Sequence, residues 1–285
     1  MDAGRFVEVA DRVWHARFPQ WDVGVGLVPG RDGAVLVDTR ASGVQGGAVV
    51  AAVRAQFPGV RVRHVVNTHV HFDHTFGNIA FAGATIHAHD RVAATLDGEA
   101  RRIRAAIAAD CSDCPEYGYT VADLDEVAQT RLRPPDCTFG SSATIDLGDR
   151  VVTLLHTGRG HTDGDIAVQV PDADVVFLGD LVEQSAHPSL GPDCWPLEWP
   201  DTLGSQLNWV GPDTVVVPGH GRPVDEQFVC RQQGELATVA AVLRERRLAG
   251  MPLADAAREP DHRLPYPLAD LADAVACVWA QLEPS

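Results

Sequence analysis

The sequence predicts an α+β fold in which two β-sheets pack face to face with helices outside. Three observations predict it. Short Val-rich runs bounded by Gly, Pro and Asp recur in both halves of the chain. Each set is accompanied by segments of helical spacing. No short-period repeat or low-complexity linker separates the two sets, so both belong to one layered core.

The first half opens as a meander. Phe6–Phe18, Val23–Val28 and Ala34–Val37 read as strands, with Pro29-Gly30-Arg31-Asp32-Gly33 as the turn between the last two. Gly46–Phe57 has helical spacing and stops before Pro58-Gly59. Val60–Asn67 then reads as a buried strand, and Thr85–His87 as a short one leading into a helix from about Asp90. The segment 97–137 reads as a helical insertion with a polar break at Cys111–Tyr119. Strand character resumes at Ser141–Leu147 and Arg150–Leu155, hinged at Gly148-Asp149. It continues at Ile166–Val170, Val175–Leu178 and Thr214–Val217, with a helix near Pro200 between the last two. The end is helical: Asp225–Leu248, a piece after Pro252, and Leu268–Leu282. The expected organisation is a main domain over 1–225 and a helical extension over 226–285, packed on it or paired beside it.

Composition narrows the function classes. The chain has 285 residues and a formal charge of −16. That charge argues against nucleic acid and against an anionic membrane surface as the main partner. All 23 basic residues are arginine, which reads as the mutational bias of a GC-rich genome. Residues 1–20 lack an apolar signal core and no run of 18 apolar residues occurs, so a cytoplasmic location without a membrane span is expected. The six cysteines are scattered; Cys111 and Cys114 form a C-x-x-C pair without a second pair nearby, and ordinary thiols are expected there.

The chemistry concentrates in His69-Val-His71-Phe-Asp73-His74, directly after a predicted strand. Imidazole and carboxylate suit zinc and similar divalent ions. On an extended backbone His69 and His71 point to one side, and Asp73 and His74 lie in the following turn. Four such groups in six residues exceed what one tetrahedral ion needs, which suggests two ions. Further candidates are His161, Asp180 and His220, each at the end of an apolar run and flanked by glycine, so that they can converge at one sheet edge. His87, His89 and His156 are expected to be structural or to support ligands; His187 is left as a pocket candidate.

These seven positions resemble the metallo-β-lactamase-fold hydrolase superfamily, over roughly residues 7–225. The resemblance implies a four-layer αββα sandwich with the site at one edge of the sheets. It implies that His69, His71 and His161 bind one metal, that Asp73, His74 and His220 bind the other, and that Asp180 bridges. Asp38 matches a strand-end motif of the family; it either orients a ligand histidine or simply forms a turn. The implied cofactors are two divalent ions, Zn2+ foremost, with Fe or Mn as alternatives.

The expected function is a metal-dependent hydrolase of a small molecule. A hydroxide held between the ions would attack an ester, thioester or lactone carbonyl, with Asp73 and Asp180 as the catalytic carboxylates. The pattern is similar to glyoxalase II-like thioesterases and lactonases; lactam-hydrolysing relatives typically lack the bridging aspartate. A mononuclear iron persulfide dioxygenase using His69, His161 and Asp180 is the competing reading, and a β-lactamase or a non-catalytic metal-binding protein stands further back. Arg159, Trp195 and Arg222 are candidate substrate contacts. The loop 181–200 is expected to form a pocket wall, with Trp195 and Trp199 either on it or in the core. The 97–137 insertion, with Tyr117 and Tyr119, is expected as a lid or a dimer interface, and a homodimer stays open.

Overall fold

The computed structural model describes residues 4–114 and 117–283. Seven strands form the first sheet in sequence order: β1 Val7–Ala10, β2 Val13–Arg17, β3 Gly24–Gly30, β4 Gly33–Val37, β5 Val62–Val66, β6 Thr85–His89 and β7 Cys137–Phe139. The first four pair antiparallel and the rest parallel. The second sheet holds β8 Ser142–Asp146, β9 Val151–Leu155, β10 Ala167–Val170, β11 Val175–Glu183 and β12 Val215–His220, in the order β12-β11-β10-β9-β8. Only its β11–β12 pair is parallel.

Parallel neighbours cannot be joined by a hairpin, so each such pair is bridged by a crossover. Helix α1 (Gly43–Gln56) joins β4 to β5, and the one-turn α2 (Phe72–Thr75) lies between β5 and β6. Helices α3 (Asp90–Ala109) and α4 (Val121–Gln129) join β6 to β7, and α5 (Trp199–Leu207) joins β11 to β12. The C-terminal helices are α6 (Glu226–Leu248), α7 (Leu253–Ala256) and α8 (Ala272–Gln281).

Alternation along the strands builds the layers. Val35, Val37, Val175 and Phe177 face inward and fill the space between the sheets. Their neighbours Leu36 and Leu27 turn outward onto Val49 and Val53 of α1, while Val176 and Leu178 turn onto Leu203 of α5, Leu236 and Leu243 of α6, and Val275 of α8. Every residue of β11 is buried, which explains its near-continuous apolar run, interrupted only at Asp180 and Glu183. The result is the predicted αββα sandwich.

Several boundaries differ from the sequence reading. Phe6–Phe18 is two strands, because the chain reverses at Arg12 (φ +51°). Pro29 and Gly30 belong to β3, and Gly33 opens β4, so the turn is only Arg31-Asp32. Helix α1 starts at Gly43, where the Ser42 hydroxyl accepts the Gln45 N–H (3.1 Å). Strand β11 continues past Leu178 to Glu183, so Asp180 lies within it. Strand β7 begins at Cys137, where the sequence reading ends the insertion; three residues carry no usable period. The insertion is helical at α3 and α4, with Thr120 and Asp123 forming a capping box at the second; Pro115 and Glu116 of its polar break lie outside the described residues. Cys111 is exposed and Cys114 partly buried, and neither belongs to a cluster suited to a metal among the described residues. No helix among those residues is long and apolar enough to cross a membrane.

Candidate metal centre

The strands end on a common edge, and the seven predicted side chains meet there. His69 and His71 come from the loop after β5, Asp73 and His74 from α2, His161 from the loop after β9, Asp180 from β11 and His220 from the end of β12. They fall into two groups whose donor atoms lie within 4.8 Å of one another: His69, His71, His161 and Asp180, and Asp73, His74 and His220. All are buried except His71 and His220, which are partly so.

Asp180 touches both groups. Its Oδ2 lies 3.6 Å from His69 Nε2, 3.4 Å from His161 Nε2 and 3.1 Å from His220 Nε2, and its Oδ1 lies 3.2 Å from His74 Nε2. Asp73 Oδ2 is 3.5 Å from His74 Nε2 and 3.4 Å from His220 Nε2. The inward nitrogens also face one another: His161 Nε2 and His71 Nδ1 at 2.8 Å, His74 Nε2 and His220 Nε2 at 3.3 Å.

Each histidine is fixed by its outer nitrogen. His69 Nδ1 meets the Thr68 hydroxyl (3.1 Å), His71 Nε2 meets Asp193 (3.0 Å), and His74 Nδ1 meets Asp38 (2.9 Å). His161 Nδ1 meets the Ser189 carbonyl (2.9 Å) and His220 Nδ1 the Trp21 carbonyl (2.7 Å). Those outer acceptors favour the tautomer with its proton outside, so that each ring, when neutral, turns a lone pair inward, the arrangement metal-ligating histidines need. Asp38 therefore orients His74, and it sits in a turn as well, at φ +64°.

Charge is unevenly distributed over the cluster. Burial pushes His69 well down and His161 down to about 4. Burial also opposes charge on His74 and His220, but Asp180 and Asp73 outweigh it, raising His74 well above the ordinary range and His220 to about 10. At His71 the Asp193 carboxylate likewise outweighs burial and raises it to about 9. Burial works against ionised Asp180, yet the His220, His74 and His69 rings hold it well below the usual carboxylate range. Burial, with Asp180 nearby, pushes Glu183 up to about 8.

The donor set fits divalent ions. Tetrahedral ligands at about 2.0–2.1 Å stand about 3.3–3.4 Å apart, and the pairs above span 2.8–3.6 Å. Two buried atoms, His69 Nε2 and Asp180 Oδ1, have no hydrogen-bond partner, a cost that a bound cation removes. A Cβ on Gly219 would stand 1.8 Å from Asp180 Oδ1, so only glycine leaves that carboxylate its place.

The candidate substrate contacts are less concentrated. Arg159 donates from Nε to Glu198 (2.9 Å) and lies 3.5 Å over the Trp195 ring. Both line a groove of about 1000 Å³ between α3, the 192–201 segment and α8, which reaches the cluster through Asp193. Trp199 is in the core, fully buried. Arg222 is exposed just beyond His220, its N–H donating to Gln184 Oε1 (2.8 Å). On the other flank Trp21 stacks on Tyr119 of the insertion at 4.9 Å and meets Phe72 edge-on at 5.3 Å. The other histidines pair away from the centre: His64 with His87, His89 with His156, and exposed His187 with Tyr266.

Sequence reasoning missed Asp193, Ser189, Trp21 and Glu183. The first three act from loops without a pattern. Glu183 did leave a signal, a lone carboxylate three residues past Asp180 in an otherwise apolar run.

Comparison with known proteins agrees with this architecture. The family described as the Metallo-beta-lactamase superfamily matches residues 21–220. A metallo-beta-lactamase type 2 of Bacillus sp. (strain 170) is 26% identical over 196 residues, covering 68% of this chain and 65% of that protein. A hydroxyacylglutathione hydrolase of Erythrobacter litoralis is 30% identical over 129 residues, 45% of this chain and 38% of that protein. The solved structure of the sec-alkylsulfatase Pisa1 from Pseudomonas sp. superposes with a TM-score of 0.77 at 17% identity, covering 98% of this chain and 50% of that one. The chain thus spans just under two thirds of the first relative and half of the sulfatase.

Proposed function

The chain belongs to the metallo-beta-lactamase superfamily, and on that premise we propose that it is a dinuclear, zinc-type hydrolase of small carbonyl substrates: thioesters, esters or lactones. The observation that carries the reading is Asp180, whose two oxygens reach both histidine groups. His69, His71 and His161 would hold one ion and Asp73, His74 and His220 the other, with Asp180 shared. When bound, divalent ions supply Lewis-acid polarisation of a carbonyl oxygen and lower the pKa of water toward about 7.

The chain's own residues do the positioning. Asp38, Thr68, Asp193, Ser189 and Trp21 lock the five rings, so little reorganisation accompanies the reaction. Asp73, with its side chain 10% exposed, borders the opening; we assign it to orient the attacking water and take its proton. The groove beside Arg159 and Trp195 is the proposed wall for the rest of the substrate, with Arg222 on the opposite flank. The hydroxyacylglutathione hydrolase relative supports acyl thioesters as the first class to try.

The test is elemental analysis of protein purified without added metal, followed by a panel of thioesters, lactones and esters with β-lactam and sulfate-ester arms. About two divalent ions per chain, zinc among them, with thioester or lactone turnover supports the proposal. Asp180→Ala should reduce metal content and turnover together; normal turnover with one ion per chain sinks the dinuclear version. One iron and oxygen consumption on a persulfide overturns hydrolysis in favour of the dioxygenase.

A further inference from the structure

Three carboxylates, Asp73, Asp180 and Glu183, stand among the clustered donor atoms, and Glu183 belongs to neither histidine group. Glu183 is buried on β11, three residues past Asp180. In an even strand those two side chains would point to opposite faces. Here the β11–β12 register shifts between Gly179 and Glu183, and Glu183 stands opposite His220. Such an irregularity re-aims a side chain, and a Glu183 oxygen comes within 4.8 Å of the donor atoms of both Asp180 and His220.

No arginine compensates Glu183 among the described residues; the charged group that faces it is the His220 ring, and the Ser189 backbone N–H donates to its carboxylate. Beside it, Asp180 is 4% exposed, and its buried Oδ1, 3.2 Å from His74 Nε2, makes no hydrogen bond. A buried carboxylate next to a second, unsatisfied one calls for a cation.

Counting donors separates the two positions chemically. The His69, His71 and His161 side offers three imidazoles and a shared carboxylate. The other side offers two imidazoles with Asp73 and the shared Asp180, and Glu183 lies within 4.8 Å of its His220 and of Asp180. Imidazole suits zinc, whereas carboxylate oxygen suits harder ions such as Mn2+. We propose that the Asp180–Glu183–His220 face is part of the metal centre and makes the Asp73, His74 and His220 position a preferred Mn2+ site, leaving Zn2+ to the three-histidine position. This rests on the reading above that the centre holds two divalent ions.

The test is an Mn2+ titration, followed by electron paramagnetic resonance, of chelator-stripped protein given one equivalent of Zn2+. Wild-type, Glu183→Gln and Glu183→Asp proteins are compared, with circular-dichroism melts of each. Wild-type protein should bind one Mn2+ beside the Zn2+. Glu183→Gln should weaken Mn2+ at least about tenfold and Zn2+ by less than about threefold, the scale on which supporting groups tune metal sites. Glu183→Asp, which keeps the charge, should fall between them, and it supplies the comparison if Glu183→Gln does not fold. Equal Mn2+ affinity in the wild type and the variants, or equal weakening of both ions, overturns the inference while leaving the dinuclear reading intact. A wild-type protein that binds only one divalent ion overturns both.

Discussion

His74 Nδ1 lies 2.9 Å from Asp38 Oδ2, and the same oxygen accepts the Thr68 hydroxyl at 2.8 Å. That hydroxyl in turn faces His69 Nδ1 at 3.1 Å. A single buried carboxylate on β4's trailing turn therefore sets the tautomer of one histidine directly and of a second through a relay, one in each donor group. Asp38 also accepts the Thr68 backbone N–H at 2.9 Å, so it holds the start of the ligand loop in place.

Asp38→Asn tests that arrangement with the backbone spared, because asparagine tolerates the left-handed region that Asp38 occupies. The amide retains the shape but not the charge. The expected result is a loss of about 10–100-fold in metal affinity or kcat/KM, read by chelator competition and by turnover on whichever substrate the panel identifies. Wild-type metal content and turnover in this variant would assign Asp38 to the turn alone.

Gly219→Ala makes a complementary prediction from space instead of charge. The new Cβ would stand 1.8 Å from Asp180 Oδ1 and 3.0 Å from the Gly179 carbonyl carbon. The φ of Gly219 is not positive, so the backbone accepts alanine and the carboxylate must move. Metal content should fall as in Asp180→Ala while the far-ultraviolet spectrum stays native. Retention of full metal content would show that Asp180 has another place to go.

The candidate cluster was legible because it is local in sequence or sits at strand ends, where residue type and glycine flanking mark it: His69, His71, Asp73, His74, His161, Asp180 and His220 come together. The layers were legible for the same reason, since Val35 and Leu36 alternate between the inter-sheet core and α1. What holds these side chains was not. Asp193 reaches His71 across 122 positions and the Trp21 carbonyl reaches His220 across 199. Contacts of that span arise from packing, and a backbone carbonyl has no residue signature. The bulge that turns Glu183 toward Asp180 is likewise a property of the β11–β12 pairing.

Trp199 joins the core to the site. It is fully buried, its Nε1–H donates to the Leu181 carbonyl (3.2 Å), and its ring stands 5.6 Å edge-on from His161. Trp199→Ala should destabilise the protein by about 3–5 kcal/mol, measured as the shift in a urea unfolding curve. Because His161 loses that wall, metal affinity should fall as well. A stability loss below about 1 kcal/mol would mean that α5 collapses into the space, contrary to the close packing of such cores.

The pair His64 and His87 predicts an acid-side loss of stability away from the metal centre. Nδ1 of His64 lies 3.1 Å from Nε2 of His87 across neighbouring strands. Burial lowers both rings; Arg63 lowers His64 further, and His64 lowers His87, to about 4, against a small opposing pull from Asp136. The folded state thus binds fewer protons than the unfolded chain between about pH 6.5 and 4. Their contribution is complete above about pH 6.5, declines as the pH falls toward 4, and stops changing below it. In His87→Asn that proton linkage is removed. The thermal midpoint of the wild type should therefore drop more steeply than that of the variant between pH 6.5 and 4, with the two curves parallel above about pH 7. Parallel curves over the whole range would mean that His87 titrates alike in the folded and unfolded chains.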